Sequence, residues 1–258
     1  MALSRRVMDL KLQDKRILVT AASRGLGYGV AESLVRENAN VVICGRSEGS
    51  LEAATARLGK RVSYHVADVS SKQDVEDLIH HLGSTGSRLD GLFVNAGGPP
   101  PGTFSNLTDQ DWERSFGLTL MSAVWLTRMA LPLLEKSDSP SILYSTSISV
   151  KQPIDNLLLS NSLRPAVIGL MKTLSTELSS SQIRVNAVCP GYIRTERVQE
   201  LLSASDSAEE DIVKSIPLGR VGTPEEFGAL CAFLLSPLAG YIHGSLVLID
   251  GGMYKGMM

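Results

Sequence analysis

The sequence has few cysteines and no metal-binding pattern. Among its 258 residues are three cysteines, Cys44, Cys189 and Cys231, which lie far apart and are odd in number. They form neither a disulfide framework nor a CxxC pair, and the four histidines lack ligand spacing with them. We therefore predict no metal site, and cysteines that stay reduced as small core or loop residues.

Strong charge of one sign and long apolar runs are also missing. The sequence has 25 Lys and Arg residues and 27 Asp and Glu residues, for a net charge of -2. This balance lacks the excess of basic residues typical of proteins that bind nucleic acid or an anionic membrane. No apolar run approaches the ~20 residues of a membrane span, and no long apolar stretch follows Arg5 and Arg6 as in a signal peptide. The sequence predicts a cytoplasmic protein with no nucleic-acid or membrane partner.

Short β-branched runs alternate with longer segments of helical period along the chain. The candidate strands are Arg16–Thr20, Asn40–Cys44, Arg61–Val66, Gly91–Val94, Ser141–Ser145, Arg184–Val188 and Leu246–Ile249. The candidate helices begin near Gly25, Glu48, Lys72, Asp109, Asp155, Glu196 and Pro224. Apolar strands between helices indicate a parallel sheet covered on both faces, and right-handed crossovers make it doubly wound. We predict an α/β fold built on one Rossmann-type sheet.

No linker or shift in composition divides the chain, so we predict a single domain over residues 1–258. The one low-complexity stretch is Ser203–Asp211, which reads S-A-S-D-S-A-E-E-D. It suits either a mobile lid or an exposed helix edge. We predict a substrate lid around residues 195–217.

A glycine-containing loop follows the first candidate strand and opens the first candidate helix. It reads T-A-A-S-R-G-L-G over Thr20–Gly27. Such a tight turn lets backbone N–H groups approach a pyrophosphate at a helix N-terminus, where the helix dipole favours negative charge. We predict a dinucleotide site formed by Thr20, Ser23, Arg24, Gly25, Leu26 and Gly27. Ala21 stands where a glycine is often expected, and its methyl group narrows the turn.

The second candidate strand ends in Gly45-Arg46 and carries no acidic residue at its tip. An Asp or Glu there would bind the adenosine ribose hydroxyls and repel a 2′-phosphate. Arg46 instead offers a planar cation for phosphate, and Arg24 is a second candidate. We therefore predict NADP(H) in preference to NAD(H), the alternative being two solvated surface arginines.

Four motifs in this order resemble the short-chain dehydrogenase/reductase family, particularly its 3-oxoacyl-(acyl carrier protein) reductase-like members. They are T-A-A-S-R-G-L-G, V-N-A-G-G at Val94–Gly98, C-P-G-Y-I-R-T at Cys189–Thr195 and D-G-G at Asp250–Gly252. The likeness runs from about Leu12 to Gly252. It implies hydride transfer with a small-molecule carbonyl or alcohol substrate. It also implies cofactor contacts at Asp68, Val69, Asn95, Ala96, Gly97, Pro190, Gly191, Ile193 and Thr195.

The catalytic positions depart from the family pattern, which carries a Ser and a Tyr-x-x-x-Lys motif. The resemblance places the family serine at Ser147, the tyrosine at Ser160 and the lysine at Arg164, with the register fixed by A-V-I-G-L at Ala166–Leu170. The asparagine that family members usually carry falls on Thr119. None of the six tyrosines is followed four residues later by Lys, so Ser-x-x-x-Arg replaces the motif.

This replacement changes the acid–base chemistry. A serine hydroxyl is a far weaker acid than a phenol, and Arg164 can hold ribose hydroxyls or stabilise an oxyanion but does not deprotonate. Lys151, four residues after Ser147, is a candidate proton donor, although it also fits a solvated loop lysine. Tyr192 is a second candidate. Pro165 predicts a kink or a restart of the helix near Arg164.

Two functions fit the sequence. The first is an NADP-dependent oxidoreductase with a rearranged proton donor, and the second is a cofactor-binding protein with little or no turnover that acts as a sensor or assembly partner. The resemblance also implies a homotetramer or dimer that associates through the helices Asp109–Lys136 and Asp155–Ser179 and the last strand.

Overall fold

The computed structural model describes residues 8–196, 198–199 and 206–257, with only the backbone described for 206–209. The strands are β1 (Arg16–Val19), β2 (Asn40–Gly45), β3 (Val62–Val66), β4 (Gly91–Val94), β5 (Ser141–Ser145), β6 (Arg184–Pro190) and β7 (Leu246–Ile249). The helices are α1 (Gly25–Arg36), α2 (Glu48–Leu58), α3 (Lys72–Thr85), α4 (Asp109–Phe116), α5 (Ser122–Leu134), α6 (Leu158–Glu177), α7 (Asp206–Ser215) and α8 (Pro224–Leu235). A π-helical turn, Gly117–Met121, joins α4 to α5, and 3-10 turns cover Ile148–Val150 and Pro237–Ala239.

The seven strands form one parallel sheet in the order β3-β2-β1-β4-β5-β6-β7. The predicted doubly wound fold is therefore confirmed. The strand order reverses between β1 and β4, where Val19 pairs with Phe93. In open α/β sheets the crevice outside the carboxyl ends of the strands at such a reversal is the usual ligand site. The fold thus predicts where ligand binds before any side chain is considered.

Helices cover both faces of the sheet, which explains why the strands are apolar without alternation. On one face α1 and α8 cross closely, because glycines stand at the crossing. A Cβ at Gly228 would lie 2.2 Å from the Gly29 carbonyl oxygen, so no larger residue fits there. This packing fixes the direction of α1, the helix that follows the glycine loop.

Helix α6 begins at Leu158 and not at Asp155, which lies in a turn and is not the helix N-cap. The chain stays irregular because Gly102 N donates to Asn156 O at 2.7 Å and Leu158 N donates to Gly102 O at 3.3 Å. These bonds come from a distant loop. Of the kink or restart predicted near Arg164, the restart is wrong, since α6 continues through Pro165.

The continuity of α6 through its proline has a physical cause in its buried stripe. Leu159, Leu163, Val167 and Met171 lie on both sides of Pro165 and are at most 8% exposed. Burial of one such side chain stabilises the fold by about 1.5–3 kcal/mol, which offsets the missing hydrogen bond.

The helical stretch Asp109–Leu134 is long and apolar enough to meet the length and composition criteria for a membrane span. The sequence prediction did not anticipate this helix, because polar residues interrupt its apolar residues. Within the most apolar 18-residue stretch of this helix, 44% is buried inside the chain. Ala123, Leu126 and Ala130 are among the buried residues of the helix. Core helices that pack on a sheet meet the same criteria.

Candidate functional site

The glycine loop lies at the strand reversal, held by the ends of β2 and β4. Thr20 N donates to Phe93 O at 3.1 Å, and Ala22 N donates to Cys44 O at 3.0 Å. Between them Ala21 adopts a φ of 49°, in the left-handed region that glycine favours. An alanine in this conformation costs about 1–2 kcal/mol, which is the physical reason a glycine is usual there. The loop therefore keeps its shape despite the substitution.

The first turn of α1 packs directly against this loop. A Cβ at Gly27 would lie 2.5 Å from Ala21 O and 2.8 Å from the Ala22 Cα, so only glycine fits. Arg24 is the helix N-cap and its side chain does not cap the helix. The backbone N–H groups of the first turn therefore keep their capacity to bind an anion.

Asn95 ties the loop to the end of β4. Its side-chain amide donates to Thr20 O and Ala21 O, both at 3.3 Å, and the Thr20 hydroxyl donates to Asn95 O at 2.7 Å. The sequence predicted Asn95 as a cofactor contact, and what these bonds show is that Asn95 stabilises the loop. Gly97, two residues further on, has nothing within 4 Å of an added Cβ and faces open space.

The side of the crevice next to the end of β2 contains the two predicted arginines, which differ in their partners. Arg24 forms an ion pair with Glu196, with 2.6 Å between Nη1 and Oε2. The prediction of Arg24 as a second cation did not anticipate this partner, which comes from the segment after β6. Arg46 is exposed, and its side chain makes no hydrogen bond or ion pair with the rest of the described chain. Arg46 therefore remains available to an anion.

Three further predicted contacts lie on this side of the crevice. Asp68 accepts hydrogen bonds from the Ser70 N–H and hydroxyl through one carboxylate oxygen, at 2.9 and 2.7 Å. Val69, next to it, is 5% exposed and belongs to the core. Ser23 Oγ lies near Gly45, 3.6 Å from where a Cβ of that glycine would be.

The opposite wall of the crevice follows β6. Gly191 approaches the end of β7 so closely that an added Cβ would lie 2.9 Å from the Asp250 Cα. Ile193 is 4% exposed and forms a bridge to Gly222. The Thr195 methyl carbon would be 3.6 Å from a Cβ at Gly25, so this wall faces the N-terminus of α1.

A small cavity joins the ends of β4 and β5 to the π-helical turn and α6. Its lining residues include Asn95, Ala96, Gly97, Thr119, Ser145, Thr146 and Arg164. Arg164 Nη1 donates to Thr146 O at 2.9 Å, which directs the guanidinium to the end of β5. Within the described chain the buried Thr119 hydroxyl oxygen has no hydrogen-bond partner. The cavity therefore offers a fixed cation and an unsatisfied hydroxyl to a ligand.

The two candidate serines have different surroundings. Ser147 begins the 3-10 turn after β5, where its Oγ accepts a hydrogen bond from Ser149 N at 3.1 Å. Its own hydroxyl hydrogen is not used in that bond. Ser160 is 6% exposed on the inner face of α6, and within the described chain its hydroxyl makes no hydrogen bond. Ser147 is thus the better placed of the two to donate to a substrate.

Lys151 ends that 3-10 turn, and its ammonium lies 5.7 Å from the ring centre of Tyr254. Burial raises the pKa of the Cys189 thiol, whereas Thr146, Lys151 and Arg164 act to lower it. Both cations therefore lie near the end of β6. The sequence analysis missed Tyr254, since no local pattern connects it to Lys151.

The other tyrosines near the site are poor acids. Tyr144 is fully buried and its hydroxyl is 2.6 Å from the Thr127 hydroxyl, and burial raises its pKa strongly. Burial also raises the pKa of Tyr192. Within the described chain, no neighbouring cation lowers the pKa of either phenol against this effect of burial.

Comparisons with known proteins agree with this geometry. Residues 20–254 match the family model described as Enoyl-(Acyl carrier protein) reductase. The chain is 30% identical over 250 residues to 3-oxoacyl-[acyl-carrier-protein] reductase FabG of Chlamydia pneumoniae, covering 95% of this chain and 99% of that protein. It is 31% identical over 245 residues to Dehydrogenase/reductase SDR family member 4 of Oryctolagus cuniculus, covering 93% and 94%.

Solved structures give the same result. L-Sorbose reductase from Gluconobacter frateurii, complexed with NADPH and L-sorbose, matches with a TM-score of 0.92 and 29% identity, covering 97% of this chain and 100% of that one. An NADPH-bound short chain oxidoreductase from Pseudomonas aeruginosa PAO1, described as containing an atypical catalytic center, matches with a TM-score of 0.89 and 27% identity, covering 95% and 99%. The chain belongs to the short-chain dehydrogenase/reductase family of oxidoreductases.

Proposed function

We propose that this protein is an NADP(H)-dependent oxidoreductase that reduces a carbonyl or oxidises an alcohol by hydride transfer. In it Ser147 keeps the position of the family serine, and Arg164 and Lys151 take over the work of the missing Tyr-x-x-x-Lys motif. The observation that carries the proposal is the position of the Arg164 guanidinium, which is bonded to Thr146 O next to Ser147 and lines the cavity beside Asn95.

The crevice fits a nicotinamide dinucleotide. The N-terminus of α1 lacks a side-chain cap, Gly27 leaves a cradle that a Cβ would fill, and the buried Thr119 hydroxyl has no partner within the described chain. The residues that would hold the cofactor are Thr20, Ser23, Arg24, Gly25, Leu26, Gly27, Arg46, Asp68, Val69, Asn95, Ala96, Gly97, Arg164, Pro190, Gly191, Ile193 and Thr195. When bound, NADPH supplies the hydride for the carbonyl carbon, and NADP⁺ accepts it from an alcohol.

The preference for NADP(H) follows from the end of β2. Arg46 is exposed, and no acidic residue stands at the strand tip to repel a 2′-phosphate. The L-sorbose reductase and the Pseudomonas oxidoreductase are both NADPH complexes, which supports the same choice.

Arg164 binds ligand groups and takes no part in proton transfer. A guanidinium keeps its charge at every working pH, so it can hold hydroxyl groups and a developing oxyanion but cannot give up a proton. Its bond to Thr146 O fixes its position without a rearrangement of the site. Ser147 donates its hydroxyl hydrogen to the substrate oxygen and so orients the carbonyl.

The proton then has to come from another group. Ser160 is nearly buried and a serine hydroxyl is too weak an acid to protonate an alkoxide directly. Lys151 is the cation nearest along the chain to Ser147 that can lose a proton. A positioned general acid contributes about 10²–10⁴-fold to the rate. We assign this role to the Lys151 ammonium.

Single-turnover reduction tests the proposal. The protein is mixed with NADPH and a panel of ketones, and the near-ultraviolet absorbance of the reduced nicotinamide is followed. Lys151→Met should slow hydride consumption by about 10²–10⁴-fold with unchanged NADPH affinity, whereas Lys60→Met, at an exposed lysine far along the chain, should have no effect. Equal rates for both variants would reject the role of Lys151.

The same experiment decides a second candidate function. This candidate is a cofactor-binding protein without turnover that acts as a sensor or assembly partner. It is favoured because the Ser160 hydroxyl and the Arg164 guanidinium are both poor proton donors. If the parent protein binds NADPH but reduces none of the ketones, and Ser147→Ala changes nothing, that function replaces the enzyme.

We also propose that residues 195–217 form a lid over the substrate. Residues 197 and 200–205 lie outside the described part of the chain, and only the backbone is described for 206–209. The helix expected to begin at Glu196 and the low-complexity stretch Ser203–Asp211 are therefore described only in part. The far end of the segment is anchored, since Leu218 N donates to Gly251 O at 3.1 Å.

A further inference from the structure

The chain after β7 folds back on itself in a short segment, Asp250–Tyr254, which we call the C-terminal clasp. Gly251 and Gly252 have φ angles of 63° and 85°, and these left-handed conformations reverse the chain. The two carboxylate oxygens of Asp250 accept hydrogen bonds from Gly252 N at 3.0 Å and Tyr254 N at 2.8 Å. These hydrogen bonds hold the turn in one conformation and so set the position of Tyr254.

The clasp is attached to the end of β6 and to the segment that precedes α8. On one side Asp250 packs against Gly191, and Gly191 N donates to Ile249 O at 3.0 Å. On the other side Leu218 N, just beyond the proposed lid, donates to Gly251 O at 3.1 Å. The position of Tyr254 is thus tied to the same strand ends that position the candidate site.

Tyr254 is half-buried and its ring lies under the Lys151 ammonium, 5.7 Å from the ring centre. A cation at this distance from an aromatic face is attracted to it, and more strongly when water is excluded. Lysine has a flexible four-carbon stem, so without a partner its ammonium would sample many positions. The backbone holds the start of the stem, because Lys151 N donates to Ile148 O at 2.9 Å.

We propose that Tyr254 is a positioning residue that holds the Lys151 ammonium at the active site through its aromatic ring. The inference rests on the proposed role of Lys151 as proton donor. It gives the D-G-G motif a function beyond ending the sheet, since the clasp brings the ring to a lysine that is distant in sequence. The ring, and not the phenol hydroxyl, carries the interaction.

Two substitutions separate the ring from the hydroxyl. Tyr254→Phe keeps the ring and Tyr254→Leu removes it, while Tyr241→Leu at a fully exposed tyrosine is the matched control. For each, single-turnover hydride transfer, its pH profile and NADPH affinity are measured. The acylation rate of Lys151 by acetic anhydride is followed by peptide mass mapping.

Tyr254→Phe and the control should stay within about twofold of the parent in every measurement. Tyr254→Leu should slow hydride transfer by about threefold to thirtyfold, the range that corresponds to the cation–aromatic attraction. It should alter the pH profile, leave NADPH affinity unchanged and change the Lys151 acylation rate several-fold.

Two results would overturn the inference. A Tyr254→Phe variant as impaired as Tyr254→Leu would show that the hydroxyl is what matters, and an unchanged Lys151 acylation rate in Tyr254→Leu would show that the ring does not hold the ammonium. The acylation rate does not depend on turnover. If the parent reduces no ketone, the proposed function fails while the acylation contrast still decides whether Tyr254 positions Lys151.

Discussion

Three arginines of the crevice differ in what holds them. Arg24 is paired with Glu196 at 2.6 Å, although both side chains are more than half exposed, so this pair contributes at most about 1 kcal/mol. Arg164 is bonded to Thr146 O. Arg46 has no such bond within the described chain. At the scale of the residue, we therefore expect cofactor choice to depend mainly on Arg46.

Arg46→Asp should reverse or abolish the preference for NADPH. Losing a hydrogen bond to a charged group costs about 1.5–3 kcal/mol, which is a tenfold or greater loss of NADPH affinity, while NADH affinity stays similar. Calorimetric titration of both cofactors measures this. Arg24→Gln should reduce NADPH affinity less, because the Arg24 guanidinium is already paired with Glu196. Equal affinities of the parent protein for NADPH and NADH would contradict the prediction.

Arg164 and Ser147 should separate binding from turnover. Arg164→Ala removes a charge-assisted contact worth about 1.5–3 kcal/mol, so both NADPH affinity and carbonyl reduction should fall. Ser147→Ala should lower turnover with little effect on NADPH affinity, since its hydroxyl faces the substrate in the proposed mechanism. Fluorescence titration and single-turnover kinetics distinguish the two. A loss of NADPH affinity in Ser147→Ala would argue against this division.

At the scale of the element, α8 shows how a helix start supports the site. Thr223 and Glu226 form a reciprocal capping box, and Arg220 donates to both carboxylate oxygens of Glu226 at 2.9 and 2.6 Å. Helix α8 packs on α1 through the close approach of Gly228 to Gly29. A disturbance at the start of α8 therefore reaches the helix that follows the glycine loop.

This cap makes stability depend on pH. The side-chain hydrogen bond from Arg220 lowers the pKa of Glu226 from 4.5 to about 2. Because the folded state favours the carboxylate, its stabilisation is complete above 4.5 and is lost as the pH falls toward 2. Glu226→Gln keeps a capping side chain but removes the charge, so the parent should be more stable at neutral pH by up to ~1 kcal/mol, discounted for exposure.

Urea unfolding of parent and Glu226→Gln across this pH range measures the difference. The gap in unfolding free energy should narrow on acidification. Other carboxylates with lowered pKa, such as Asp74 and Asp111, contribute equally to both proteins. Their contributions therefore cancel when the two unfolding free energies are subtracted. A gap that stays constant with pH would mean that the charge of Glu226 does not stabilise the fold.

At the scale of the whole molecule, apolar side chains of the long helices remain incompletely covered. Half-buried positions on α4, the π-helical turn, α5 and α6 are Trp112, Leu118, Met121, Trp125, Leu170 and Leu174. Leu118, Trp125, Leu170 and Leu174 also pack against the core of the same chain, and complete packing inside one subunit is the alternative to an interface. An apolar face of this kind is typical of an interface between subunits.

We therefore predict a homotetramer or a dimer. Light scattering at micromolar concentration should give a multiple of the monomer mass of 27.7 kDa. Leu170→Asp, which places a charge on the half-buried face of α6, should shift the distribution toward monomer, whereas Lys172→Asp at a neighbouring exposed position should do so less. A monomeric parent would refute the association.

Much of the architecture could be predicted because its signals are local. The bounds of β4, β5 and β7 and the first residues of α1, α2, α3, α4 and α8 agree with the sequence prediction. Four of these helices begin after a Ser or Thr whose side chain accepts a hydrogen bond from the first turn: Ser47, Ser71, Thr108 and Thr223. A cap acts over three residues, so the sequence alone contains it.

The parts that could not be predicted involve residues far apart in the chain. The start of α6 depends on Gly102, and the partner of Arg24 is Glu196, 172 residues away. The aromatic ring beneath the Lys151 ammonium belongs to Tyr254, near the end of the described chain. The sequence by itself determined the alternation of strands and helices, the glycine loop and the absence of a Tyr-x-x-x-Lys motif. Only the tertiary structure decided which side chains meet at the strand ends, because a parallel sheet brings distant segments to one edge through long crossovers.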